Sequence, residues 1–186
     1  EGHVLIYTDT SPSVMITPTT FFHHVQHAEE YRQKPVVGAY LRWVRFLGMF
    51  ASIFLLPLWF LAVQYPDLLP AHWEVIIPED IGKLPLIIQF LLAEVGIDLL
   101  RMAAIHTPNP LGTALGLVAA IMMGQVAVQV GLLTNGVILY LAVAVIGTFA
   151  TPSYEMGLAN RLTRLSLLLA VFFFHMIGFI GGILFW

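Results

Sequence analysis

Residues 46–65, 111–133 and 165–186 each run for twenty or more positions without an aspartate, glutamate, lysine or arginine. A helix rises about 1.5 Å per residue, so each of these stretches is long enough to cross a hydrocarbon core of roughly 30 Å. The composition agrees: 59% of residues are hydrophobic, 10% are charged, and the mean hydropathy is +0.86. An ordinary globular domain carries about 25% charged residues. The chain therefore reads as a membrane protein. Its net charge of −3 is small and dispersed, and with no basic patch a nucleic-acid partner is not expected. The absence of cysteine excludes disulfide frameworks, thiolate metal sites and cysteine nucleophiles.

The chain opens EGHVLIYTDTSPSVMITP, with neither an initiator methionine nor the flanks of a signal peptide. HVLIY and SVMI are β-rich runs on either side of the turn-forming DTSPS. Residues 1–17 are therefore expected to form a β-hairpin remnant, the end of a truncated N-terminal soluble domain. Thr17 and Pro18 then suggest a cap and first helical position. The helix they open runs through TTFFHHVQHAEEYRQ to Pro35, giving an amphipathic juxtamembrane helix over 18–35. Phe21, Phe22, Val25, Ala28 and Tyr31 fall on one side of it, suited either to the membrane interface or to the missing soluble domain.

The remainder, 36–186, reads as a transmembrane domain with spans near 42–65, 84–105, 111–133, 137–151 and 165–186. Pro57 is expected to kink the first span, with Trp59 and Tyr65 anchored near the far headgroups. Residues 84–105 would insert poorly alone, because Glu94, Asp98 and Arg101 nearly cancel the gain from their apolar neighbours. Loop charges argue that they cross nevertheless. Arg32, Lys34, Arg42 and Arg45 place the near end of the first span in the cytoplasm, and Asp67, Glu74, Glu79 and Asp80 lie in the loop beyond it. Arg161 and Arg164 return to the cytoplasmic side only if 84–105 spans. The expected fold class is thus an all-α integral membrane protein, a bundle of about five transmembrane helices preceded by the hairpin and the interfacial helix.

Helical spacing puts Glu94, Asp98 and Arg101 on one face. Asp98 and Arg101 can neutralise one another; Glu94 is then left over and expensive unless it meets water, a partner helix or a cation. In an oligomer, a ring of such acids would attract cations. Gly112, Gly116 and Gly124 form a small-residue stripe that permits close helix packing, within or between subunits. Gln125 and Gln129 share another face, suited to interhelical hydrogen bonds or to a pore lining. His23, His24 and His27 are expected at a hydrated interface, with no metal and no cofactor, since no HExxH arrangement is present. Neither is an enzyme expected: there is no GxSxG elbow, and Ser52, Ser153 and Ser166 have no base placed by a motif.

Three stretches together resemble the GerA spore germination proteins, specifically the A-type subunits. They are FFHHVQHAEEYRQKPVVGAYLRWVRFLGMFASIFLLP, LLAEVGIDLLRMAAIHTPNPLGTALGLVAAIMMGQVAVQVGLL and ATPSYEMGLANRLTRL. The last corresponds to the family's Pro-Ser-Tyr loop, here Pro152, Ser153 and Tyr154, with Arg161 and Arg164 following. The resemblance implies an integral protein of the spore inner membrane that oligomerises and releases monovalent cations early in germination. It also implies a homo-oligomer, other inner-membrane proteins and the lipid bilayer as partners. Glu94 and Asp98 match the family's acidic pair, with Asp98 where glutamate is usual and His106 where arginine is frequent. A non-conducting scaffold that assembles with a receptor or channel partner is the alternative function.

Overall fold

A computed structural model describes residues 2–27, 29–78, 81–106 and 110–185. The expected charges Glu79 and Asp80 lie outside the described residues. The chain begins with an antiparallel hairpin, β1 (Val4–Tyr7) and β2 (Val14–Thr17), in the register Val4 to Thr17 and Tyr7 to Val14. Seven helices follow: α1 (Phe21–Val25), α2 (Glu29–Arg32), α3 (Pro35–Gln64), α4 (Leu86–His106), α5 (Pro110–Gln129), α6 (Asn135–Phe149) and α7 (Tyr154–Phe185). Short 3-10 turns at Pro66–Leu68 and Ala71–Ile76 connect α3 to α4.

The single juxtamembrane helix expected over 18–35 is two short ones. Thr17 ends β2, and Thr20 is the cap of α1, with the backbone N–H of Thr20 donating to His23 Nδ1 at 3.1 Å. Pro35 opens α3 and does not close the preceding helix. A proline biases the residue before it away from the helical region while its own φ suits a first helical position. Lys34 accordingly sits at φ −57°, ψ 144°.

α3 continues through the buried Pro57 and packs antiparallel to α6. Gly48 meets Gly147 near one end of the contact, and at the other the Trp59 and Tyr140 rings lie 4.7 Å apart. Trp59, expected at the headgroups, is instead 3% exposed, its indole N–H donating to the Ile76 carbonyl at 2.8 Å. α7 runs parallel to α3, as the contacts of Ser52 with Arg164 and of Gln64 with His175 require. α4 pairs Glu94 with Arg164 and Asp98 with Arg161, so it is antiparallel to α7. The end of α5 returns to the start of α4, where Lys83 N–H donates to the Gly131 carbonyl at 3.0 Å. Direction therefore alternates from α3 through α7. A core of Leu56, Phe60, Phe90, Val137, Leu141, Leu168 and Val171 fills the space between α3, α4, α6 and α7.

Two corrections bear on the spans. Among the described residues only α3 and α7 are long and apolar enough to cross a membrane by length and composition, not the expected five. α4 carries Glu94, Asp98 and Arg101, while Gly116–Gln129 and Asn135–Phe149 are shorter apolar helices. α7 also begins well before residue 165, because Ser153 caps it: its hydroxyl accepts from the Met156 N–H at 3.2 Å. The expected Pro-Ser-Tyr loop is thus the start of a helix that carries Arg161 and Arg164 inward. α7 is broken at His175, whose φ of 54° and ψ of −131° are rare for an L residue. Beyond the break the chain doubles back: a Cβ on Gly178 would overlap the Ala170 carbonyl, and Phe179 packs on Phe54 with rings 6.4 Å apart. Residues eight apart in an unbroken helix would be about 12 Å apart along its axis.

The α3–α6 contact yields a direct prediction. A Cβ on Gly147 would overlap the Gly48 carbonyl and lie 3.2 Å from the Ser52 Cβ. Gly147→Val should destabilise the protein by about 1–3 kcal/mol through overpacking. Gly116→Ala, with open space around it, should be nearly neutral. Thermal unfolding of both variants in detergent checks the difference.

Candidate functional site: a buried two-rung charge ladder

The acids of α4 do not rely on Arg101. Helical spacing of four between Glu94 and Asp98 meets spacing of three between Arg161 and Arg164 on an antiparallel neighbour, so both acids find an arginine at once. Arg164 Nη2 lies 2.6 Å from Glu94 Oε1 and 2.9 Å from Oε2, and its Nη1 donates to the Ser52 carbonyl at 2.8 Å. One guanidinium thereby joins α3, α4 and α7. Its planar fork makes this possible: two nitrogens point at different helices without a change of rotamer. Glu94 is 2% exposed and Arg164 1%, so this rung is fully withdrawn from solvent.

The second rung, Asp98 with Arg161, is more open, with side-chain exposures of 29% and 15%. Arg101 stands apart, its guanidinium 5.7 Å from the centroid of the Phe149 ring on α6. The two rungs together are electrically neutral. Burying charges costs several kcal/mol each unless a partner compensates, and unpaired charges in a bilayer are costlier still. The Nε atoms of Arg161 and Arg164 find no hydrogen-bond partner among the described residues.

Other polar groups brace the ends of the bundle. At the near end, where α3 begins, Glu30 of α2 is buried against Arg42 and Arg45, and Arg45 also donates to the Val25 carbonyl at 3.3 Å. At the far end Gln89 is completely buried. It donates to the carbonyls of Ile81 at 2.5 Å and Leu84 at 2.8 Å, and accepts from the Thr134 N–H at 2.8 Å. Its lone amide in an apolar run gave no sign of that role. Glu30 was legible only in hindsight, from arginines three apart on the next helix. The complementary spacing of the acids and Arg161 with Arg164 was present in the sequence, but only the helical start of α7 brings it into use.

α5 differs from its neighbours. Gly116, Ala120 and Gly124 lie on its less exposed side, and among the described residues no atom lies within 4 Å of a Cβ built on Gly116 or Gly124. The surroundings of Gly112 fall among the positions not described. At 100° per residue Gln125 and Gln129 point opposite to that stripe, and both are exposed. Pro152 and Tyr154 are exposed at the start of α7. No group of three or more histidine, aspartate or glutamate side chains among the described residues could hold a metal.

Comparison with known proteins completes the description. The family model for the Bacillus/Clostridium GerA spore germination protein matches residues 1–186. The chain is 58% identical over 182 residues to stage V sporulation protein AF of Bacillus subtilis (strain 168), covering 98% of this chain and 37% of that protein. It is 33% identical to spore germination protein A1 of the same organism, over 100% of this chain and 38% of the relative. Membrane protein YfkQ, also from that organism, is 25% identical, over 98% of this chain and 36% of its own length. The chain thus spans well under half the length of these relatives. No solved structure matches it.

The unequal burial of the two rungs can be tested. Glu94→Gln leaves Arg164 buried and unpaired and should cost about 3–5 kcal/mol, whereas Glu94→Leu combined with Arg164→Met should recover most of it. Asp98→Asn, on the more open rung, should cost less. Denaturation in detergent gives the order, and a Glu94→Gln protein as stable as Asp98→Asn would contradict it.

Proposed function

This chain belongs to the Bacillus/Clostridium GerA spore germination family, and we propose that it is a membrane subunit that assembles with copies of itself into a cation-releasing channel of the spore inner membrane. Family membership supports a role in spore germination, and two helices long and apolar enough to cross a bilayer support a membrane location. In this reading all five helices α3 to α7 cross: their alternating directions fit successive crossings, and the ladder neutralises the charges that would otherwise hold α4 out.

The observation that carries the channel reading is the exposed amide pair Gln125 and Gln129, one turn apart on the outward side of an otherwise apolar helix. In lipid, such amides need a polar neighbour, because hydrocarbon offers no hydrogen-bond partner. Packing of copies around this face gives the amides either a neighbouring helix or a water-filled path, and monovalent cations would pass along the latter. Glu94 is committed to Arg164, so of the two acids only Asp98, with its partial exposure, is available to such a path. Replacing both amides, Gln125→Leu with Gln129→Leu, should slow potassium release from germinating spores several-fold while the protein remains in the membrane at its normal level. Normal release would reject the channel assignment of this face.

A second reading, a non-conducting scaffold for a receptor or channel partner, is favoured by the open space at Gly116 and Gly124. A partner helix could enter there at close range. Under it, Gly116→Leu with Gly124→Leu abolishes co-purification of other inner-membrane germination proteins, and the glutamine substitutions leave ion release untouched.

A further inference from the structure

At the far end of the bundle a cleft of about 450 Å³ opens on the side of α3. It is lined by Leu55, Leu58 and Ala62 of α3, Trp73 of the connector, Tyr140 of α6 and Met176 just past the break in α7. We infer that this cleft is a binding site for the alkyl chain of a membrane lipid.

Four observations argue for that occupant. Among the described residues, none that lines the cleft is charged. The indole N–H of Trp59, which could have served a polar ligand, already donates to the Ile76 carbonyl. A peptide segment would bring backbone N–H and C=O groups that these walls leave unsatisfied, whereas an alkyl chain brings none. The volume falls within the range of about 300–1,000 Å³ seen for small-molecule sites.

The position of the cleft adds to its chemistry. It borders the last three turns of α3, a helix long and apolar enough to span, and its lining includes Tyr65 and Trp73, both half-exposed. Aromatic side chains of this kind collect at the headgroup level. A lipid whose chain lies along Leu55, Leu58 and Ala62 would thus have its headgroup near those rings. The cleft is also held in shape without a ligand. Trp59 ties the connector to α3 through Ile76, and His175, in its rare backbone conformation, is hydrogen-bonded to Gln64 at 3.0 Å, fixing the turn that presents Met176. Preformed walls remove much of the ordering cost of binding. The inference is independent of whether the protein conducts ions.

The test uses the full-length protein in vesicles of phosphatidylcholine carrying a photoactivatable diazirine on one acyl chain, with labelled positions read by peptide mass spectrometry. Labelling should concentrate on residues 55–76 and on Tyr140. Leu58→Trp, which fills the cleft, should reduce it by about tenfold, equivalent to roughly 1.4 kcal/mol of affinity. Val118→Trp on the exposed face of α5 should leave it unchanged. Ala62→Leu serves as a milder filling variant should Leu58→Trp fail to fold, and the unfolding temperature of each variant is measured alongside. Labelling spread evenly over the exposed faces of α3 and α5, or indifferent to both filling variants, overturns the proposal. Displacement of the label by free 1-decanol at low concentration would assign the cleft to a soluble amphiphile and overturn the lipid assignment.

Discussion

An arginine and a glutamate buried together among apolar helices, Arg164 and Glu94, form the contact around which the rest of the bundle is arranged. Either charge withdrawn from water alone would cost several kcal/mol, a large fraction of the net stability of most domains. Because Arg164 also reaches the Ser52 carbonyl, the same guanidinium settles the relative height of three helices at once. The antiparallel course of α4 against α7 is set by this pair together with Asp98–Arg161, and the parallel course of α7 with α3 by the Ser52 contact together with that of Gln64 with His175. The Asp98–Arg161 rung repeats the arrangement about one turn away, in a setting that retains some contact with solvent.

Away from the ladder, cohesion comes from shape and from a few polar ties at the ends. Gly48 and Gly147 let α3 and α6 approach closely, and the aromatic group of Trp59, Phe90 and Tyr140 fills the wider far end. There Gln89 and Trp59 use their single polar groups to hold the connecting segments over the bundle. α5 differs: its exposed side is rich in leucine, methionine, valine and isoleucine, and its two glutamines are exposed. A helix with so large an exposed apolar side is the natural place for contacts with something else, which is why the proposed assembly is centred on it.

Much of the local structure was legible from residues alone. The DTSPS turn between two β-rich runs corresponds to the observed hairpin, and the charge-free stretches lie on helices. The shared face of Glu94 and Asp98 follows from spacing. Three features were misread for identifiable reasons. Pro35 is compatible with the end of one helix or the start of the next, and its place at the first position of α3 shows that it starts one. The resemblance to a Pro-Ser-Tyr loop puts Ser153 in a loop, although serine with a following glutamate is an ordinary way to begin a helix. The reversal at His175 had no composition signal beyond Gly178 and Gly182, whose spacing serves equally well for packing between straight helices.

The sequence by itself determined that this chain is mostly helical, too apolar for an aqueous fold, and obliged to shelter two carboxylates on one face of one helix. Period and composition are local properties, and they suffice for that much. Which arginines shelter those carboxylates was decided only by tertiary structure, because the pairing of residues 94 with 164 and 98 with 161 depends on the direction in which α7 passes α4. The same holds for the far-end cleft, whose walls come from α3, its connector, α6 and the turn in α7. Partners so distant along the chain leave no periodic trace, and they become neighbours only when the helices have packed.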